Sequence, residues 1–176
     1  WDVASRELSL DTASIMIDPS DKDRPLVGGQ VTEAQVCWDI ANRLEGRLLA
    51  VGTLVVMSRG GQGRQGDERE RAKLANEQGL DLVLSIKCDW HHNPVAGGAA
   101  AYYFGHTYSR SAVGMRLAEL LQEELHARTG LRDCHAHPKT WDLLRLTRMP
   151  AVRADVGYAS NPRDSAILAD PQARDD

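Results

Sequence analysis

The feature of this sequence that most limits its fold is an alternation of short apolar runs with helical patterns. Runs this short and this apolar are typical of strands buried in a parallel sheet, and the helices between them supply the crossover connections. The sequence therefore predicts an α/β fold with a mostly parallel (mixed) central sheet of about six strands flanked by helices. The runs are residues 14–17, 53–57, 80–86, 99–104 and 151–156.

Helix signals lie between these runs. Thr32 and Gln35 have the spacing of a capping box at a helix start. The glycine-rich stretch 60–66 is predicted to be a mobile surface loop, followed by a helix over 67–78 whose charges form a solvated face. An amphipathic helix is predicted over 109–128. Its inward side chains are expected to be Val113, Leu117, Leu120, Leu121 and Leu125.

Near the C-terminus, strand, turn and helix signals surround a single acid, Asp155. Pro150 separates two apolar runs, 141–147 and 151–156, both predicted to be strands. An Asn-Pro pair then predicts a helix over 162–168. Asp155 is thus expected at the carboxyl end of a strand, the edge where α/β sheets gather ligands and catalytic groups. An acid that only caps a turn fits this position equally well.

Composition places the chain in one class and excludes others. With 176 residues, 42% of them hydrophobic, it fits a single domain, residues 1–176, in which 1–13 form an irregular lead-in. The net charge of −4 gives no electrostatic reason to expect nucleic acid or an anionic membrane surface as a partner. No apolar run in the sequence approaches the length of a membrane span.

Three cysteines without a CxxC pair favour neither a disulfide framework nor a cysteine zinc site. The sequence therefore predicts a cytoplasmic location. Cys37 lies on an apolar helix pattern and is predicted to be core, whereas Cys88 and Cys134 could be exposed.

The order of the motifs resembles the zinc-dependent N-acetylmuramoyl-L-alanine amidases of the amidase type 3 family, which are peptidoglycan hydrolases. The resemblance covers nearly the whole chain, and it implies the three-layer fold of those enzymes. The segments that carry it are Ser-Ile-Met-Ile-Asp-Pro at 14–19, Glu33, Ser-Arg at 58–59, Ser-Ile at 85–86 and the stretch from Pro150 to Pro162.

The same resemblance identifies four site positions, and three of them have changed. Asp21 stands where the family has its first zinc ligand, a histidine, and Lys87 stands where it has its third. Glu33 matches the second ligand and is retained, although a glutamate in a first helical turn is favoured in any protein. Asp155 replaces the catalytic glutamate and is one methylene shorter, which misplaces a general base.

These departures imply a catalytically inactive protein with a degenerate, metal-free pocket. A lysine ammonium has no lone pair for zinc and opposes the entry of a dication. We further expect Lys87 to act as a counterion inside the pocket, forming a salt bridge to at least one of Asp21, Glu33 and Asp155.

Within the family, the overall match is closest to an amidase-like regulator. It implies a cytoplasmic protein that binds and activates the UDP-N-acetylglucosamine enolpyruvyl transferase of peptidoglycan precursor synthesis. It also implies control by a serine/threonine protein kinase, a peptidoglycan fragment or precursor as a ligand, and a peptidoglycan-binding region before residue 1.

The alternative is an extracytoplasmic zinc-dependent amidase with a rearranged metal site. Its zinc would be held by Glu33 together with a histidine recruited from His91, His92, His135 or His137. The spacing of His135 and His137 would place both on one side of an extended strand, but isolated histidine pairs are unspecific, so the sequence favours the inactive protein.

Overall fold

A seven-stranded mixed sheet separates two layers of helices in the computed structural model, which describes residues 9–61 and 63–175. Most of the lead-in, residues 1–8, lies outside the described residues. The strands are β1 (Ser14–Pro19), β2 (Leu54–Met57), β3 (Leu82–Asp89), β4 (Ala99–His106), β5 (Ser109–Arg110), β6 (Asp133–Lys139) and β7 (Ala151–Tyr158). The helices are α1 (Glu33–Ala50), α2 (Glu68–Gln78), α3 (Ala112–Thr129), α4 (Asp142–Leu146) and α5 (Pro162–Ala169).

The strand order is β2-β1-β3-β7-β4-β5, and β6 also pairs with β4. The pairs β1–β2, β1–β3, β3–β7 and β4–β6 are parallel, whereas β4 runs antiparallel to β7 and β5. This arrangement confirms the predicted α/β fold class with a mixed sheet. The carboxyl ends of β1, β3 and β7 consequently meet at one edge.

The two faces of the sheet bury different helices. Side chains such as Ile17 and Ile86 pack with α1 and α5, and Val152 packs with α3. The opposite face, which includes Met16 and Val83, packs with α2 and α4. Because side chains alternate along a strand, the residues between these core positions project to the other face.

Local capping explains where three of the helices begin. Thr32 and Gln35 form the predicted capping box of α1, and Asp67 with Glu70 forms a second one at α2. The side chain of Asn161 accepts hydrogen bonds at the start of α5, with Pro162 in its first turn. These helix starts are therefore specified by local sequence.

Two secondary-structure predictions are wrong. The segment 141–147 contains the short helix α4 instead of a strand, because Leu143 and Leu144 are both buried in the core that α2 forms with the sheet. Helix α3 begins at Ala112, since Ser109 and Arg110 pair with the end of β4 as β5.

The buried face of α3 also differs from the prediction. Val113 and Leu120 are 63% and 40% exposed, and the buried positions are Gly114, Ala118 and Gln122. Gly114 and Ala118 are small and allow the helix to approach the sheet closely, so the predicted Leu117, Leu121 and Leu125 pack at the margins of the contact as partly buried side chains.

Burial corrects two further expectations. Strand β2 is at the edge of the sheet, and Leu54 is 60% exposed, so the run 53–57 is not a fully buried strand. Cys88 is buried like Cys37, and their Sγ atoms lie 4.0 Å apart, whereas Cys134 is half-buried.

In the described ranges, no helix has the length and apolar character needed to cross a bilayer.

Candidate functional site

Polar side chains gather where β1, β3 and β7 end side by side. Asp18 of β1 lies in register with Ser85 of β3, and Lys87 of β3 lies in register with Asp155 of β7. All four residues are buried. The sheet therefore brings charged groups from distant parts of the sequence into one buried cluster.

Asp18 is the centre of this cluster. Its Oδ1 accepts hydrogen bonds from Ser58 Oγ and Gln65 Nε2, each at 2.7 Å, and its Oδ2 accepts one from Ser85 Oγ at 2.7 Å. Three neutral donors thus satisfy a carboxylate that has no contact with solvent, which is a condition for burying such a charge.

Two cations balance the charge of Asp18. Arg71 Nε lies 3.0 Å from Oδ1, an ion pair that lacks hydrogen-bond geometry, and Lys87 Nζ lies 3.8 Å from Oδ2. Burial lowers the pKa of Lys87 below its ordinary value, and the negative charge of Asp18 offsets part of that effect. Arg71 is buried as well, so the charges of α2 are not simply a solvated face.

Lys87 therefore has a different partner from the one expected. Among the ion pairs of the described residues, its only carboxylate is Asp18, and none joins it to Asp21, Glu33 or Asp155. The ammonium also donates to Gln65 Oε1 at 2.6 Å. The counterion prediction is wrong about the acids it named, because each of them is occupied by another donor.

Glu33 is held by donors on both oxygens. Its Oε1 accepts from Ser20 Oγ at 2.7 Å and from the Cys88 amide at 3.2 Å. Its Oε2 accepts from Arg24 Nη2 at 2.7 Å and from Arg24 Nε at 3.2 Å. Glu33 is fully buried in the first turn of α1, so this arginine supplies the positive charge that the acid needs.

Asp155 forms a bidentate salt bridge with Arg153 on the same strand. Arg153 Nε and Nη2 donate to its two oxygens at 2.6 and 2.9 Å. Burial raises the pKa of Asp155 above its ordinary value although Arg153 opposes the rise. Burial also works against the charge of Arg153, but Asp155 outweighs it and raises the pKa of Arg153. The guanidinium lies 4.6 Å from the Trp141 ring centroid.

Gln65 is one of the site residues that the sequence analysis missed, together with Asp18, Arg24, Arg71 and Arg153. It lies in the glycine-rich stretch predicted to be only a surface loop, yet its amide N–H donates to Asp21 Oδ2 at 3.0 Å. Its side chain bridges Asp18 and Lys87. A glutamine among glycines carries no periodic signal, so only the fold reveals this role.

Comparison with known proteins decides the family. A family model described as N-acetylmuramoyl-L-alanine amidase (Amidase_3) matches residues 15–176. The chain belongs to this amidase family. It is 45% identical over 168 residues to N-acetylmuramoyl-L-alanine amidase CwlM of Mycobacterium tuberculosis and 31% identical over 157 residues to N-acetylmuramoyl-L-alanine amidase LytC of Bacillus subtilis.

These alignments cover 92% and 88% of the chain, but only 41% of CwlM and 31% of LytC. The chain thus spans about two-fifths of CwlM. Among solved structures, an amidase of Clostridium difficile superposes with a TM-score of 0.80 at 21% identity, covering 93% of this chain and 89% of that one. Ami1 of Mycobacterium smegmatis gives 0.79 at 22%, covering 93% and 90%. At these identities the structures show the shared fold alone.

The histidines considered as alternative amidase ligands come from two segments, residues 91–92 and 135–137. His91 and His92 are exposed, with ring centroids 4.1 Å apart. His135 has a φ of 64°, so it and His137 do not lie on one side of a regular extended strand. Within residues 9–61 and 63–175, no three histidine, cysteine or acidic side chains are placed to hold a metal ion together.

The residues that the family resemblance assigns to the ligand positions, among them Glu33 and Lys87, do not fit a zinc ion. Catalytic zinc is held by three protein ligands that donate lone pairs and keeps a fourth position for water. Here Lys87 supplies an ammonium, and the Glu33 oxygens already accept four hydrogen bonds, two of them from Arg24. Arg71 adds a second buried cation nearby, paired with the same carboxylate as Lys87.

Proposed function

We propose that this chain is a catalytically inactive, amidase-like protein that regulates peptidoglycan precursor synthesis by binding and activating the UDP-N-acetylglucosamine enolpyruvyl transferase. The observation that carries the loss of catalysis is the buried Lys87 ammonium at a metal-ligand position, fixed by Asp18 and Gln65. An ammonium held in this way neutralises the carboxylate charge that would otherwise attract a metal ion.

The position of the catalytic acid supports the same conclusion. Zinc-dependent amide hydrolysis needs a metal-activated water and a positioned acid–base group. The family resemblance assigns Asp155 to that role, and both of its oxygens accept hydrogen bonds from Arg153. A carboxylate whose two oxygens both accept from a guanidinium is not positioned to take a proton from water, although burial raises the pKa of Asp155 above its ordinary value.

The regulatory half of the proposal rests on the family resemblance. The transferase as partner, a serine/threonine kinase as controller, a peptidoglycan fragment as ligand and a cytoplasmic location all follow from it. Because the chain spans 41% of CwlM, each of these partners is a proposal for this chain.

The experiment measures transferase turnover with and without this protein. We expect stimulation that saturates with added protein and is retained by Asp155→Ala, because a binding surface needs no general base. The same preparations should release no peptide from muramyl-peptide substrates. Peptide release that a chelator abolishes would contradict the catalytic part. Absence of stimulation at saturating protein would contradict the regulatory part.

A further inference from the structure

A cavity of about 370 Å³ lies between α1 and α3, over the sheet face opposite the polar cluster. Its size is within the range of roughly 300–1,000 Å³ that small-molecule pockets occupy, and its lining is mostly aliphatic. The apolar residues that line its walls and floor include Ile40, Leu44, Leu121, Leu125, Ile86 and Ala154.

The cavity is separate from the amidase site although the same strands form both. Ile86 and Ala154 belong to the core beneath α1 and α5, whereas Lys87 and Asp155, which follow them in sequence, project to the other side. A ligand in the cavity would therefore leave the polar cluster untouched.

Arginines stand at the mouth of the cavity on both helices. In α1, Arg43 and Arg47 follow Ile40 at helical spacing, so they continue its face toward the end of the helix. In α3, Arg128 follows Leu121 by seven residues and lines the same opening. An apolar interior thus ends at a rim of paired charges, in which Arg128 Nε lies 2.8 Å from Glu124 Oε2 and Arg43 Nε lies 3.2 Å from Asp39 Oδ2.

The chain places one of its own carboxylates on this rim. Asp175 Oδ1 lies 2.9 Å from Arg43 Nη1 and 3.1 Å from Arg47 Nη2. The Asp175 side chain is 42% exposed. Two guanidiniums that converge on one carboxylate oxygen, directly over an apolar cavity, form an anion site joined to a hydrophobic one.

From this we infer that the cavity binds a fatty carboxylate, with its alkyl chain inside and its carboxylate in the place of Asp175. The carboxylate of Asp175 is the argument for this headgroup, since it already makes the contacts that the ligand would make. The segment of residues 173–175 also lines the cavity, and the ligand displaces the Asp175 side chain from the two arginines.

The test is isothermal titration calorimetry of the 176-residue protein with sodium decanoate below its micellar concentration. We expect one decanoate per chain, affinity that falls about fourfold per methylene removed, and binding of decanol about tenfold weaker. Acetate, which has the headgroup without the chain, should give no saturable binding.

Variants separate the headgroup from the cavity. Arg47→Gln should weaken decanoate binding about tenfold. The matched control is Arg116→Gln, which should not change it; Arg116 is an exposed arginine of α3 whose Nη1 lies 3.6 Å from Glu119 Oε2. Asp175→Asn should strengthen binding because it removes the competing carboxylate. Ala154→Leu should abolish binding by filling the floor.

Four results would overturn the inference. They are no saturable decanoate binding, equal affinity for decanol and decanoate, no effect of Arg47→Gln, and Asp175→Asn binding no tighter than the parent. If Ala154→Leu fails to fold, the exposed Arg47 and Asp175 variants still show whether the two arginines bind the decanoate carboxylate.

Discussion

Two buried carboxylates at the same edge of the sheet, Asp18 and Asp155, are held in very different ways. Asp18 contacts donors or cations from β3, α2 and two loop positions, all of them distant in sequence. Asp155 relies on Arg153, two residues earlier on its own strand. Asp18 therefore links several parts of the fold, whereas the hydrogen bonds of Asp155 come from one residue of its own strand.

The largest effect is expected from Asp18→Ala. The change removes the acceptor for Ser58, Gln65 and Ser85 and leaves two buried cations without their carboxylate. Breaking a buried pair in this way typically costs ~3–5 kcal/mol. Urea denaturation at neutral pH should show a loss of that order in the free energy of unfolding.

Asp23→Ala is the matched control, because Asp23 is an exposed acid on the segment that follows β1. It should change stability by less than about 0.5 kcal/mol. If Asp18→Ala and Asp23→Ala lowered the free energy of unfolding equally, Asp18 would contribute no more to stability than an ordinary surface acid.

Lys87→Met should have an intermediate effect, of about 1–3 kcal/mol, because Asp18 keeps Arg71 and its three neutral donors. The pH dependence is more specific. Since burial lowers the pKa of Lys87 in the folded state, the unfolded chain binds more protons below the ordinary pKa of 10.5. The parent should therefore gain stability relative to Lys87→Met as the pH rises toward that value.

This difference is measured by urea denaturation of both proteins from neutral pH to about 10, with Lys73→Met as the control for an exposed lysine of α2. A constant gap between parent and Lys87→Met over that range would show that Lys87 is not buried as a charge.

The smallest effect is expected from Asp155→Asn, about 1–2 kcal/mol at neutral pH. Arg153 keeps its contacts with Trp141 and Tyr102, and its side chain is 22% exposed, so its charge stays partly satisfied. Burial raises the pKa of Asp155 above 3.8, so the parent should lose stability relative to the variant as the pH rises above that value. A loss as large as that of Asp18→Ala would mean that Asp155 contributes as much to stability as Asp18.

The parts of the fold that sequence could predict are those with local or periodic signals. The capping box at Thr32, the Asn161–Pro162 helix start and the strands that carry Lys87 and Asp155 all belong to this class. Segment 141–147 was misassigned because a short apolar run suits a buried helix as well as a strand.

The candidate site is only partly predictable, because the partners of its charged residues have no local or periodic signal in the sequence. The family resemblance indicates Asp21, Glu33, Lys87 and Asp155. Lys87 and Asp155 lie in register on β3 and β7, whereas Asp21 follows β1 and Glu33 lies in the first turn of α1. Their actual partners carry no sequence signal: Arg24 and Gln65 lie in loops whose approach is set by tertiary packing, and Arg153 lies two residues before Asp155 on the same strand, a spacing that does not by itself indicate a pair.

The central claim is that a fixed cation replaces the metal ion of the amidase family, and zinc content tests it most directly. Elemental analysis of the purified protein after incubation with zinc should give well below one zinc per chain, with no change in melting temperature. The double variant Asp21→His with Lys87→His restores two ligand types beside Glu33, and zinc should raise its melting temperature. About one zinc per parent chain, with a melting temperature that falls when a chelator is added, would contradict the account.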